Sequence, residues 1–151
     1  MGYGGGLQYN AVDYYQVDAS VPSRIFTSLQ LYIPWHAGDG DGDGLLDVLG
    51  VDAQRVRLFE APSAGAFPRN VAWEQRDVWG GEVADLDGDG RDEFLLRSAR
   101  GSYFQVYEAQ ADNDYAEVAV LNRSSGGTNE LGQRQVVGDL DGDGRGELIG
   151  G

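Results

Sequence analysis

The chain has 151 residues with 25 acidic and 11 basic side chains, a formal net charge of −14 and no Cys. Without Cys there is no disulfide framework and no zinc–thiolate site; a chain this acidic repels phosphate, which argues against nucleic acid as a partner. No apolar run approaches the roughly 20 residues of a membrane span.

At 41% hydrophobic and 11% aromatic the chain is not of disordered composition, and its length favours one domain. Residues 1–11 form a Gly-rich segment. Its start, Met1-Gly2-Tyr3-Gly4-Gly5-Gly6, has neither the basic nor the apolar region of a signal peptide. In chain order, the alternating stretch Tyr14–Ala19 and the weaker Ser23–Thr27 predict two strands. Leu29–Ile33 predicts a third, leading into the acidic segment Asp39–Asp47. Strands are then expected over Leu45–Leu49, Arg55–Ala61 and Asn70–Glu74. Gly81–Ala84 leads into a second acidic segment, Asp85–Glu93, followed by Glu93–Leu96, Tyr103–Ala109 and Ala116–Leu121. Arg134–Val137 leads into a third, Asp139–Glu147, followed by Glu147–Ile149. Residues 61–65 and 124–128 read as turn-rich connections.

The three acidic segments share one pattern, D-x-D-G-D-G-x-x-(D/E), and hold 12 of the 25 acids. Like charges this dense repel unless a positive charge sits between them. Positions 1, 3 and 5 of a tight loop converge on one point, and glycine at position 6 allows the turn. Position 7 offers a backbone carbonyl, and the acid at position 9 closes the shell. Flexible all-oxygen ligation favours calcium over magnesium. Three divalent ions would bring the net charge to about −8. A helix-loop-helix calcium site is excluded. Position 12 falls on Gly50, Leu96 and Gly150, none of which offers the acidic side chain required there, and the flanks read as strands.

The first acids of the loops are 46 and then 54 residues apart, a period that points to a propeller or an array. Naming the strands of one repeat A, loop, B, C and D, the chain runs C-D, A-loop-B-C-D, A-loop-B-C-D, A-loop-B. Residues 12–151 are thus three repeats in circularly permuted order, with loops at 39–47, 85–93 and 139–147.

These loops, set between strands and repeated about every 50 residues, resemble the FG-GAP/VCBS repeats of integrin-alpha-like propellers. The resemblance implies an all-β fold of three four-stranded blades, each with a calcium ion in its A–B loop. The implied ligands are Asp39, Asp41, Asp43 and Asp47; Asp85, Asp87, Asp89 and Glu93; and Asp139, Asp141, Asp143 and Glu147. The implied carbonyls are those of Leu45, Arg91 and Arg145. Gly40 stands where the other loops have Leu86 and Leu140, which implies a less firmly packed start to the first loop. The aromatic–glycine element that precedes the strand in this family is poorly kept.

His36, the single histidine, reads as structural, and no catalytic group is assigned. Trp35, Trp73, Trp79, Tyr14, Tyr15, Tyr103 and Tyr107 read chiefly as packing between blades. The expected function is a non-enzymatic, calcium-binding extracellular, cell-surface or periplasmic module for protein or glycan interaction, adhesion or surface assembly. The alternatives are a non-catalytic segment of a secreted carbohydrate-active enzyme such as a polysaccharide lyase, or a calcium-dependent lectin. Three blades do not close a ring. Self-association is therefore expected, as a dimer with six blades or as a filament, unless a larger parent chain completes the ring.

Overall fold

The computed structural model describes residues 12–17, 22–28, 33–52, 54–101, 103–122 and 135–150. Twelve strands run through them: β1 Val12–Val17, β2 Pro22–Ser28, β3 Ile33–Gly38, β4 Asp47–Asp52, β5 Arg55–Glu60, β6 Asn70–Arg76, β7 Val78–Ala84, β8 Glu93–Ser98, β9 Tyr103–Ala111, β10 Asp114–Asn122, β11 Gln135–Gly138 and β12 Glu147–Gly150. No helix occurs among the described residues. All pairings are antiparallel between chain neighbours. They form two four-stranded sheets, β3-β4-β5-β6 and β7-β8-β9-β10, and two hairpins, β1-β2 and β11-β12.

The protein is all-β, and most strands start within a few residues of their expected positions. The end of the strand expected over Leu29–Ile33 is a correction: β3 runs over Ile33–Gly38 and so continues past Ile33 to Gly38; residues 29–32 lie outside the described set. Pro34 is tolerated because β3 is an edge strand, where a missing N–H need not break a ladder, and the register shifts between Pro34 and His36. β4 begins at Asp47, not Leu45. The carbonyl of Leu46 instead accepts the Ala61 N–H at 2.9 Å, so the loop holds both leucines. Asp18 and Ala19 of the strand expected over Tyr14–Ala19, and Arg134 of that over Arg134–Val137, also lie outside the described residues.

The sheets stack in chain order, each burying one face of alternate side chains on the next. Leu49, Val56 and Leu58 of the first sheet meet Val78, Phe94 and Leu96 of the second. Trp73 of β6 closes this layer, its ring 5.3–5.9 Å from those of Phe94, Tyr107 and Tyr115. On the other face of the first sheet, Val48 and Phe59 pack on Val12 and Tyr14 of β1. On the far face of the second, Leu95, Phe104 and Val106 pack on Leu148 of β12. Trp73, Tyr14 and Tyr107 are therefore packing aromatics.

Leu96 is fully buried in the layer between the two four-stranded sheets. Leu96→Ala should lower unfolding stability by about 2–5 kcal/mol, the usual cost of a lost leucine plus its cavity. Val118→Ala, at an exposed position on β10, should cost less than about 1 kcal/mol. Urea unfolding of both variants checks the contrast.

Candidate metal centre

The three acidic loops join β3 to β4, β7 to β8 and β11 to β12, and all three have the same internal wiring. The carboxylate at position 1 accepts the backbone N–H groups of positions 4 and 6, and in the third loop Asp139 also accepts that of Asp143 at 3.1 Å. Asp39 takes Gly42 and Gly44 at 2.8 and 2.9 Å, Asp85 takes Gly88 and Gly90 at 2.6 and 2.9 Å, and Asp139 takes Gly142 and Gly144 at 2.6 and 3.0 Å. Position 3 accepts the N–H of position 5: Asp41 from Asp43, Asp87 from Asp89, Asp141 from Asp143. Position 5 accepts that of position 7, which is Leu45, Arg91 or Arg145. Position 9 reaches back to position 2: Gly40 donates to Asp47, Leu86 to Glu93, Leu140 to Glu147.

Glycines at both position 4 and position 6 have φ between 80° and 91° in every loop. That left-handed geometry disfavours any residue with a Cβ. The sequence reading gave a reason only for the glycine at position 6. The glycine at position 4 has the same reason.

Each loop gathers three carboxylates whose oxygens lie within 4.8 Å of one another: Asp39, Asp41 and Asp43; Asp85, Asp87 and Glu93; Asp139, Asp141 and Glu147. Asp47 and Glu93 are almost fully buried at the roots of β4 and β8. Each has one oxygen on a backbone N–H, and its other, Asp47 Oδ1 or Glu93 Oε1, is buried without a hydrogen-bond partner. Burial pushes both carboxyls up to about 7, against the Gly40 and Leu86 N–H groups that lower them; repulsion from Asp41 and Glu60 or from Asp87 and Asp85 adds to the rise. At Glu93 the buried, unpaired oxygen belongs to a group with Asp85 and Asp87, an arrangement that suits a hard cation.

Residues outside the loops join in. Asp41 also groups with Glu60 and Asp112, and Asp87 and Asp89 with Glu108. Glu60 and Glu108 end equivalent segments, Phe59-Glu60-Ala61 and Tyr107-Glu108-Ala109. The sequence reading saw that repeat but gave its acid no role. The turn between β9 and β10 reaches the first loop: Asn113 donates its backbone N–H to Asp41 at 2.7 Å and its side-chain amide to Glu60.

The first loop is also packed more firmly than expected at its start, which is a correction. Gly40 is buried. A Cβ there would lie 2.8 Å from the Tyr115 hydroxyl and 3.5 Å from Phe94. The glycine makes room for an aromatic pair from the second sheet rather than leaving a gap. Burial, with the negative field of Asp47 and Asp41, raises the Tyr115 hydroxyl well above its ordinary range. His36 Nε2 lies 3.3 Å from Asp92 Oδ2, a contact between the first sheet and the segment before β8.

A family model described as FG-GAP-like repeat matches residues 39–96 and again residues 85–150. No curated protein and no solved structure matches the chain.

The raised carboxyls fix a pH dependence. Asp47 and Glu93 ordinarily titrate near 3.8 and 4.5 and do so near 7 in the fold. Between about pH 4 and 7 the folded chain therefore holds protons that the unfolded chain has released, so stability falls as pH rises through that window. In chelator, the melting temperature should be lower at about pH 7.5 than at about pH 5.5. Asp47→Asn should flatten this slope, and thermal melts monitored by circular dichroism check both.

Proposed function

The chain belongs to the FG-GAP-like repeat family, and from that premise we propose that it is a calcium-binding β-propeller module that works by interaction and not by catalysis. In this reading each four-stranded sheet is one blade, and each acidic loop holds one calcium ion between the first two strands of a blade. Position 1, 3, 5 and 9 acids and the position 7 carbonyls of Leu45, Arg91 and Arg145 supply the oxygens. Calcium supplies the positive charge that lets these carboxylates stay ionised side by side.

The observation that carries the reading is the unpartnered buried oxygen of Asp47 and of Glu93, Glu93 grouped with Asp85 and Asp87 and Asp47 in the repelling field of Asp41 and Asp43. A solvated Asp-Gly turn needs no buried acid at its root. The threefold repetition of one backbone wiring adds support, because it turns the same backbone N–H groups towards the loop acids in every loop. Sites of this type in extracellular modules bind at about 10⁻⁴–10⁻³ M, a calcium level found outside cells. That supports an extracellular, cell-surface or periplasmic setting.

A groove of about 610 Å³ favours a glycan among the possible ligands. It is lined by Trp35, Trp79, Glu82, Arg97 and Val136. Trp35 and Trp79 are half exposed there, and ring faces beside charged hydrogen-bonding groups suit a sugar. Neutral oligosaccharides should quench tryptophan fluorescence saturably, and Trp79→Ala should raise the half-saturating concentration at least tenfold, read on the remaining Trp35 and Trp73.

Calorimetric titration of chelator-treated chain should give three calcium ions per chain. Asp87→Ala should retain two. Calcium at 100 times its dissociation constant adds about 2.7 kcal/mol per site, so the melting temperature should rise with calcium and fall with chelator. Absence of binding heat at millimolar calcium would defeat the reading.

A further inference from the structure

The first loop is bordered by a buried hydroxyl that comes from the other four-stranded sheet. The Tyr115 hydroxyl and the Asp47 carboxylate flank the same point: a Cβ on Gly40 would lie 2.8 Å from the hydroxyl and 3.6 Å from Asp47 Oδ2. Tyr115 is 6% exposed and Asp47 4% exposed. The hydroxyl and Asp47 Oδ1 each lack a hydrogen-bond partner, a costly condition for buried polar atoms.

The neighbouring rings fix where the hydroxyl sits. Tyr115 stacks on Phe94 with centroids 4.5 Å apart and stands 5.4 Å from Trp73 of the first sheet. The charged groups around it are all carboxylates, those of Asp47, Asp41, Asp39 and Asp92, so the hydroxyl stays protonated and has its proton to give. The second sheet also reaches position 3. The Asn113 N–H donates to Asp41 Oδ2 at 2.7 Å, and Asp41 Oδ1 accepts from Asp43. Two residues at the start of β10 and the turn before it therefore border positions 3 and 9 of the first loop. The other loops differ here. They share the wiring of the first but carry Leu86 and Leu140 at position 2, so a side chain takes the space that Gly40 leaves to the hydroxyl.

We propose that Tyr115 is a positioning residue for the first calcium site alone, its hydroxyl serving the Asp47 carboxylate as a second donor beside the Gly40 N–H. Asp47 Oδ2 accepts that N–H at 3.1 Å. A second donor on this side of the carboxylate fixes its rotation and leaves Oδ1 turned to the loop. The first site then depends on how the second sheet is seated, through Tyr115 at position 9 and Asn113 at position 3. Donors behind a metal-binding carboxylate typically govern metal affinity by about 10–100-fold. The inference rests on the calcium reading of the loops.

Calcium alone is the probe. Calorimetric titration of chelator-treated Tyr115→Phe should show one of the three sites weakened about tenfold or more and the other two unchanged. The variant keeps the ring, so its circular dichroism in chelator should match that of the unmodified chain. Asp41→Ala, which removes the first site, should leave two sites that Tyr115→Phe no longer alters, and this assigns the effect to the first loop. Gly40→Ala, whose Cβ crowds the hydroxyl, should weaken the same site, and in the Tyr115→Phe background it should cost nothing further. A merely structural role for the hydroxyl would lower the melting temperature in chelator and leave the affinity of the first site where it was. Three sites that keep their affinities in Tyr115→Phe, three that weaken alike, or additive losses from the two substitutions would overturn this inference and leave the calcium reading standing. Absence of calcium heat in the unmodified chain would overturn both.

Discussion

Four carboxylates confined to nine residues, with the last of them buried at the root of a strand, set the terms for the rest of the structure. Their mutual repulsion is offset within the loop by backbone N–H groups aimed inward, and glycines at positions 4 and 6 make that aim possible. Those N–H groups give both oxygens of position 1 a partner but leave one oxygen of Asp47 and of Glu93 unpaired. A compact positive charge answers that deficit better than any further hydrogen bond, because it acts on all the acids of a loop together. The strands on either side then inherit their start points from the loop: β4 and β8 begin at the acid that closes it.

The loops are also joints between sheets. Asn113 and Tyr115 come from the second sheet and settle on the first loop, one hydrogen-bonded to Asp41, the other packed on Gly40. The second and third loops touch as well: a Cβ at Gly88 would lie 3.0 Å from the Gly144 carbonyl. The geometry of the first loop is thereby tied to the packing of the second sheet.

Much of this was legible in the sequence because it rests on local chemistry. The loop pattern marks its own glycines and acids, and alternation in Arg55–Ala61 or Tyr103–Ala109 reads directly as strand. The permuted order of strands followed from the recurrence of those segments. What escaped depends on contacts across sheets. Nothing near Gly40 in the chain reveals that Tyr115, 75 positions later, fills the space above it. Glu60 and Glu108 look like ordinary strand ends until the fold brings them beside Asp41 and Asp87. The end of β3 was missed for a local reason, since Pro34 and His36 look like a break when an edge strand and a bulge are not considered.

The central claim is that the acids of each loop converge on one calcium ion. A crystal structure of the chain grown in millimolar calcium, with anomalous data to identify the ion, tests it most directly. The account predicts an anomalous peak within each acidic loop, contacted by the position 1, 3 and 5 carboxylates and, in the first two loops, by the presently unpaired oxygens of Asp47 and Glu93. Loops that keep their backbone course with only water among the carboxylates, at that calcium concentration, would contradict it.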